Sequence, residues 1–168
     1  MKVMSALILT LSIASGVSVA YAIVDKTTDD KVTYNLTQKH IKSVYGEAIN
    51  RWVKTGIDRK RFDNVKIGIT NLKGSTIGYG GYNHITLDHN GAGAGWYIDL
   101  TPDEDEEYYI KNGRQYARQN TDAEGHIDLL SVVTHELGHH LGYGHSNSGV
   151  MQPRCPVGQR TLKIQSVE

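Results

Sequence analysis

The stretch His135-Glu136-Leu137-Gly138-His139-His140-Leu141-Gly142-Tyr143-Gly144-His145 decides how this chain is read. Upstream of it, Asp128 precedes an apolar-periodic run that begins at Leu129, which suits an N-terminal helix cap. On the helix this predicts, His135 and His139 stand about 40° apart around the axis at 3.6 residues per turn. Both imidazoles can then reach one ion, each at roughly 2.0–2.1 Å. Leu130, Val133, Leu137 and Leu141 fall on the opposite side and predict a packing face. Gly142 predicts the helix end, because glycine tolerates the left-handed conformation that a C-terminal cap needs. The chain can then turn and return His145 to the same ion. His140 lies about 140° from His135 and cannot share it.

Three neutral imidazoles with one open position make a catalytic zinc site, whereas a structural site is closed by four protein ligands. Glu136 stands beside the metal face without being a ligand. Its carboxylate can take a proton from a zinc-bound water and pass it to a departing amine. The metal, by acidifying that water and polarising a carbonyl, supplies the rest of a peptide-bond hydrolysis. The expected cofactor is therefore Zn2+, with His135, His139 and His145 as ligands and Glu136 as general base. A histidine-rich helix that binds no metal is the alternative. The extended H-E-x-x-H-x-x-G-x-x-H spacing on a capped amphipathic helix weighs against it.

Outward from this segment, the 168 residues suffice for one domain with a real core. The 18 basic and 18 acidic residues balance, so the composition gives no electrostatic reason to expect nucleic acid or an anionic membrane as partner. Residues 1–22 read as an export signal: Lys2, a mostly apolar run from Val3 to Val19, and the small-x-small site Ala20-Tyr21-Ala22. An uncleaved anchor is the alternative, but the run is short for a membrane span and diluted by serines. The expectation is a secreted protein, extracellular or periplasmic, with no stable membrane association after cleavage. Residues 23–31 form a polar leader and 32–168 the functional domain. The single cysteine, Cys155, excludes internal disulfides, so stability must come from packing and bound metal.

Within the domain, Val32 to Leu36 alternates as a strand and Thr37 caps a helix over Gln38 to Lys54. Ile41, Val44, Tyr45, Ala48, Ile49 and Trp52 make its apolar stripe. Val65 to Ile69, His84 to His89 and Trp96 to Leu100 read as strands. The glycines Gly78, Gly80 and Gly81 read as a flexible stretch, Gly91 to Gly95 as a loop, and Asn112 to Gly125 as irregular. The order predicts an α+β domain: a twisted mixed sheet, an active-site helix, a second long helix and a short irregular C-terminal part.

The histidine motif resembles the metzincin clan of zinc peptidases, and two features extend the likeness. Met151, in Val150-Met151-Gln152-Pro153, resembles the Met-turn beneath the zinc of that clan. Ser146, directly after the third histidine, is similar to the matrixin branch. Gly95-Trp96-Tyr97-Ile98-Asp99-Leu100-Thr101-Pro102 and Ile127-Asp128-Leu129-Leu130 resemble bacterial matrixin-like segments. The resemblance implies an endopeptidase acting on proteins or peptides outside the cell, extracellular matrix included. It also implies that His84 to His89 is the exposed edge strand above a cleft, to which a peptide adds as an extra strand. Pro153 and Cys155 would belong to the wall of the pocket past the scissile bond.

The chain departs from the family in its latency elements. Matrixins carry a zinc-blocking cysteine in a pro-segment, and none lies upstream here. Pro153-Arg154-Cys155 resembles the blocking motif but follows the Met-turn, so Cys155 is expected in the pocket wall. Asp29 or Asp30 offers a weak carboxylate latch. His84, Asp88 and His89 could hold a second zinc, but solvent-facing or edge-strand roles are favoured. The run Asp103 to Glu107 could hold Ca2+ or simply be solvated. His40 and His126 carry no signal. A binding scaffold that holds zinc and captures peptides or glycans without cutting them is the rival function. Such a scaffold has no need of Glu136.

Overall fold

A computed structural model describes residues 7–12, 18–23 and 32–165. Within residues 1–30, β1 (Leu7–Ser12) and β2 (Ser18–Ile23) pair antiparallel. The rest of the segment read as an export signal, most of the leader, and the Asp29 and Asp30 latch lie outside the described residues.

The second unit, residues 31–168, carries the domain. It starts at β3 (Val32–Thr33), shorter than the strand expected to reach Leu36. Helix α1 (Gln38–Val53) follows. Thr37 Oγ1 accepts from the His40 N–H, and His40 Nδ1 accepts from the Thr37 N–H, so both partners of a capping box are present. His40, silent in the sequence, is thus half of the cap. Ile41, Val44, Ala48, Ile49 and Trp52 are buried as the stripe requires. They pack against Leu130, Val133 and Leu137 of α2 (Leu129–His140) and against Leu141, the residue that follows it. Each fully buried aliphatic side chain contributes about 1.5–3 kcal/mol, so this two-helix seam holds the site in place.

Strands fill the other side of the domain in mixed parallel and antiparallel pairing, which with the two helices makes an α+β fold. One sheet has the order β4 (Lys66–Thr70), β6 (His84–Asp88), β5 (Gly78–Gly81). Here two expectations need correction. The glycines Gly78, Gly80 and Gly81 are not a flexible stretch but an ordered strand, antiparallel to β6. The segment His84 to His89 is not the edge; β6 lies in the centre, and β5 is the edge strand next to α2. Ile85, Thr86, Leu87 and Asp88 are accordingly all buried.

A second sheet joins β10 (Ile127–Asp128), β7 (Trp96–Tyr97) and β3. A third joins β11 (Gln159–Arg160), β9 (Arg114–Ala117) and β8 (Tyr108–Lys111). The region expected to be irregular from Asn112 is thus partly a hairpin. Asn112 (φ 51°) and Gly113 (φ 73°) both adopt positive φ, the type I′ geometry that Asn-Gly favours and that matches strand twist. Past Pro153, among the described residues, the chain has no helix and forms only the short β11.

Candidate metal centre

Helix α2 is capped as the sequence predicts. Asp128 Oδ2 accepts from the Ser131 N–H (3.1 Å) and the Ser131 hydroxyl (2.6 Å). At the other end Gly142 takes φ 97°. The Gly142 N–H then bonds the His139 carbonyl and the Tyr143 N–H the Gly138 carbonyl, which closes the helix and sends the chain back toward it. The Tyr143 ring stacks on Trp52 at 5.0 Å, which fixes the turn that carries His145.

His135, His139 and His145 come together. His139 Nε2 lies 3.1 Å from His135 Nε2 and 3.1 Å from His145 Nε2. Nitrogens about 2.0–2.1 Å from one ion at tetrahedral angles stand about 3.3 Å apart, so the trio fits a zinc-sized ion. Their protonation fits as well. His135 Nδ1 donates to the Val150 carbonyl (2.7 Å), and His139 Nδ1 donates to the Tyr143 carbonyl (2.8 Å). A carbonyl only accepts, so each Nδ1 carries the proton and each neutral ring turns a bare Nε2 lone pair inward. Lone pairs facing each other at this distance repel unless a cation lies between them. Burial, with His139 and His145 beside it, lowers the His135 pKa and favours the neutral ring.

Glu136 points into the same cleft. It is 3% exposed, and its Oε2 is buried without a hydrogen-bond partner among the described residues. Burial pushes its carboxyl up to about 8. The glycines of β5 explain how it fits. A Cβ on Gly78 would stand 2.8 Å from Glu136 Oε1, and one on Gly80 would stand 2.8 Å from the Glu136 carbonyl. A strand without side chains on that face is what lets the sheet edge close over the helix.

The cleft has a volume of about 390 Å³. His135, Glu136, His139 and His145 line it, with the β5 edge on one side and Pro153 and Cys155 on the other. Cys155 is free, and its thiol sits where burial, helped by the Asp128 charge, pushes its pKa up to about 12. Met151 is buried against the active-site helix; a Cβ on Gly138 would fall onto its Sδ and 2.8 Å from Trp52 Cζ2. The Met151 carbonyl also accepts from the Ser146 N–H at 2.9 Å, which closes the loop after the third histidine.

Other candidates are held elsewhere. His140 staples α2 to its surroundings, accepting at Nδ1 from the Asn83 N–H and placing Nε2 2.8 Å from the Arg61 carbonyl. Asp88, expected in a solvent-facing or edge-strand role, is 1% exposed on the central strand. Its two oxygens accept from the backbone N–H groups of Leu72, Asn90 and Ala92 and so brace the loop after β6. From the acidic run, Asp105 pairs with Arg160 and Glu106 accepts from Thr101. Among the described residues, His135, His139 and His145 form the one group of three or more His, Cys, Asp or Glu that can hold an ion. The sequence reading missed Arg160, which is fully buried against Asp99 and Asp128; its partners lie 61 and 32 residues away, and no local spacing announces them.

Comparison with known proteins agrees with this centre. The sequence model of the matrixin family matches residues 15–167. A curated relative, Metalloendoproteinase 5-MMP of Arabidopsis thaliana, is 29% identical over 144 residues, covering 77% of this chain. The chain spans 37% of that relative's length. No solved structure matches. With the family model covering nearly the whole domain, the chain belongs to the matrixin family.

Proposed function

We propose that the chain is a zinc-dependent endopeptidase in which His135, His139 and His145 hold the metal and Glu136 is the general base. The supporting observation is the convergence of three imidazole Nε2 atoms beside a buried carboxyl whose Oε2 has no hydrogen-bond partner among the described residues. When bound, zinc would supply Lewis acidity, acidifying water and polarising the substrate carbonyl. The chain's own residues do the rest. Glu136 takes the proton of the attacking water and returns it to the departing amine. The Val150 and Tyr143 carbonyls hold two ligand rings in the metal-binding tautomer. Met151 packs below the ligands as the Met-turn.

A peptide substrate would add to β5, an edge strand whose Gly78, Tyr79 and Gly80 line the cleft. Pro153 and Cys155 would contact the side chain after the scissile bond. The signal-like residues 1–22 support export, which would place protein or peptide substrates outside the cytoplasm and leave 32–168 as the catalytic domain. No helix among the described residues is long and apolar enough to cross a membrane. A capturing scaffold would have no use for an unpartnered buried carboxylate in its cleft. Digestion of a peptide library with and without a zinc chelator tests the reading: cleavage that the chelator abolishes supports it, and cleavage that persists unchanged removes zinc from the reaction.

A further inference from the structure

Arg160 spends every donor it has. Its five N–H groups meet five acceptors: Asp99 Oδ2 (2.5 Å), Asp105 Oδ1 (2.9 Å), Asp128 Oδ1 (3.0 Å), Asp128 Oδ2 (3.1 Å) and the Glu104 carbonyl (3.2 Å). The guanidinium carbon also lies 4.3 Å from the centre of the Tyr108 ring. Its side chain and that of Asp99 are wholly buried. Ion pairs this deep gain little net stability, because desolvation offsets the attraction. Their strength is directional: two Arg160 nitrogens grip both oxygens of Asp128, and that fork fixes an orientation no point charge can.

What is oriented lies on the cleft. Asp128 is the cap of α2, the helix that carries the histidines and Glu136. The residue after Arg160, Thr161, donates its N–H to Ser131 Oγ (2.8 Å), and the Ser131 hydroxyl donates to Asp128 Oδ2 (2.6 Å). Ser131, Cys155 and Thr161 all line the cleft. The wall beyond the scissile bond is therefore bolted to the active-site helix through one buried cation and one hydroxyl.

We propose that Arg160 is a positioning residue that sets the width of the cleft between its Cys155–Thr161 wall and helix α2, and thereby restricts the side chain a substrate carries after the scissile bond. The specificity half of the proposal rests on the cleft being the peptidase site; the mechanical half does not. Arg160→Met would leave three carboxylates facing one another, so the informative variants are Arg160→Lys, which keeps the charge and loses the fork, and Ser131→Ala, which keeps the fork and cuts the bolt to Thr161.

The test uses the zinc-loaded full chain and two readouts. Labelling of Cys155 by a disulfide reagent reports wall opening without any need for activity. Both variants are expected to label about tenfold faster than the parent, as a locally loosened segment does. Ile49→Val, a core variant away from the wall, controls for general destabilisation and is expected to label at the parent rate. In a peptide-library digest, both variants should accept a broader range of residues after the cut, with other positions unchanged. Unchanged labelling in both variants, or equal acceleration in Ile49→Val, overturns the mechanical link. Faster labelling with an unchanged cleavage profile overturns the specificity claim. A parent that cuts nothing, while labelling responds as expected, overturns the peptidase reading and the specificity claim and leaves the wall's anchoring established.

Discussion

Met151 Sδ occupies the space that a side chain on Gly138 would need. Gly138 is in the middle of α2, where glycine ordinarily weakens a helix by about 0.5–1 kcal/mol relative to alanine. Here the relationship reverses. Met151 and Trp52 both press on the helix at this point. Gly138→Ala is therefore expected to destabilise the protein by about 1–3 kcal/mol through overpacking, despite the better helix former. Thermal unfolding decides it: a melting temperature at or above the parent's would mean that Met151 and Trp52 can move aside at no cost.

Glu136→Ala separates metal binding from chemistry. The rings of His135 and His139 are oriented by the Val150 and Tyr143 carbonyls and not by Glu136. The variant should keep the parent's zinc content and lose proteolysis by about 10²–10⁴-fold, the usual contribution of a positioned proton-transfer group. Casein or a peptide library cleaved at the parent rate would take Glu136 out of the reaction.

His145 is the exposed member of the trio and comes from the loop, not from the helix. His145→Ala should lower zinc content sharply on elemental analysis while α2 stays folded on its Asp128 and Gly142 caps. Stripping zinc from the parent should reduce its melting temperature as well. A ligand that binds only the folded state at a thousand times its Kd contributes about 4.1 kcal/mol, so the shift is on the order of 10 °C or more. Equal metal content in parent and variant would remove His145 from the site.

What the sequence disclosed and what it hid divide along the range of the interactions. Asp128, Gly142 and the four-residue spacing of His135 and His139 act within one helix, so their positions could be read directly. His145 could be placed because one glycine ends that helix. The edge strand could not. Gly78-Tyr79-Gly80-Gly81 has little intrinsic β preference, and its order comes from α2 pressing on its side-chain-free face. Strand order escaped for the same reason: nothing local to His84–His89 says that two other strands flank it. The β8–β9 hairpin was more accessible, since Asn112-Gly113 is a local signal lying between two tyrosine-bearing runs. Asp88 and Arg160 were hidden by distance, one bracing backbone as far back as Leu72 and the other joining three acidic residues from separate loops and strands.

Asp88 makes the acid limit of stability predictable. Burial alone would raise its carboxyl, but the N–H groups of Ala92, Leu72 and Asn90, with the charge of His89, outweigh that and hold it below its ordinary value of 3.8. The ring of His89 stands beside it, with Nδ1 3.7 Å from Asp88 Oδ2. A carboxyl depressed in the folded state binds protons more readily unfolded. Its contribution is thus complete above the unfolded value and is lost as pH falls through the folded one. The parent should hold this contribution at pH 6 and shed it below about pH 4. Asp88→Asn cannot accept the same three N–H groups as a charged acceptor and should be less stable at pH 6 by about 1–3 kcal/mol. Its stability should then fall less steeply on acidification, so that the gap between the two proteins narrows. Denaturant melts of both proteins from pH 6 to pH 2.5 measure the gap, and a gap that stays constant across that range would show that Asp88 is not the group whose protonation loosens the loop after β6.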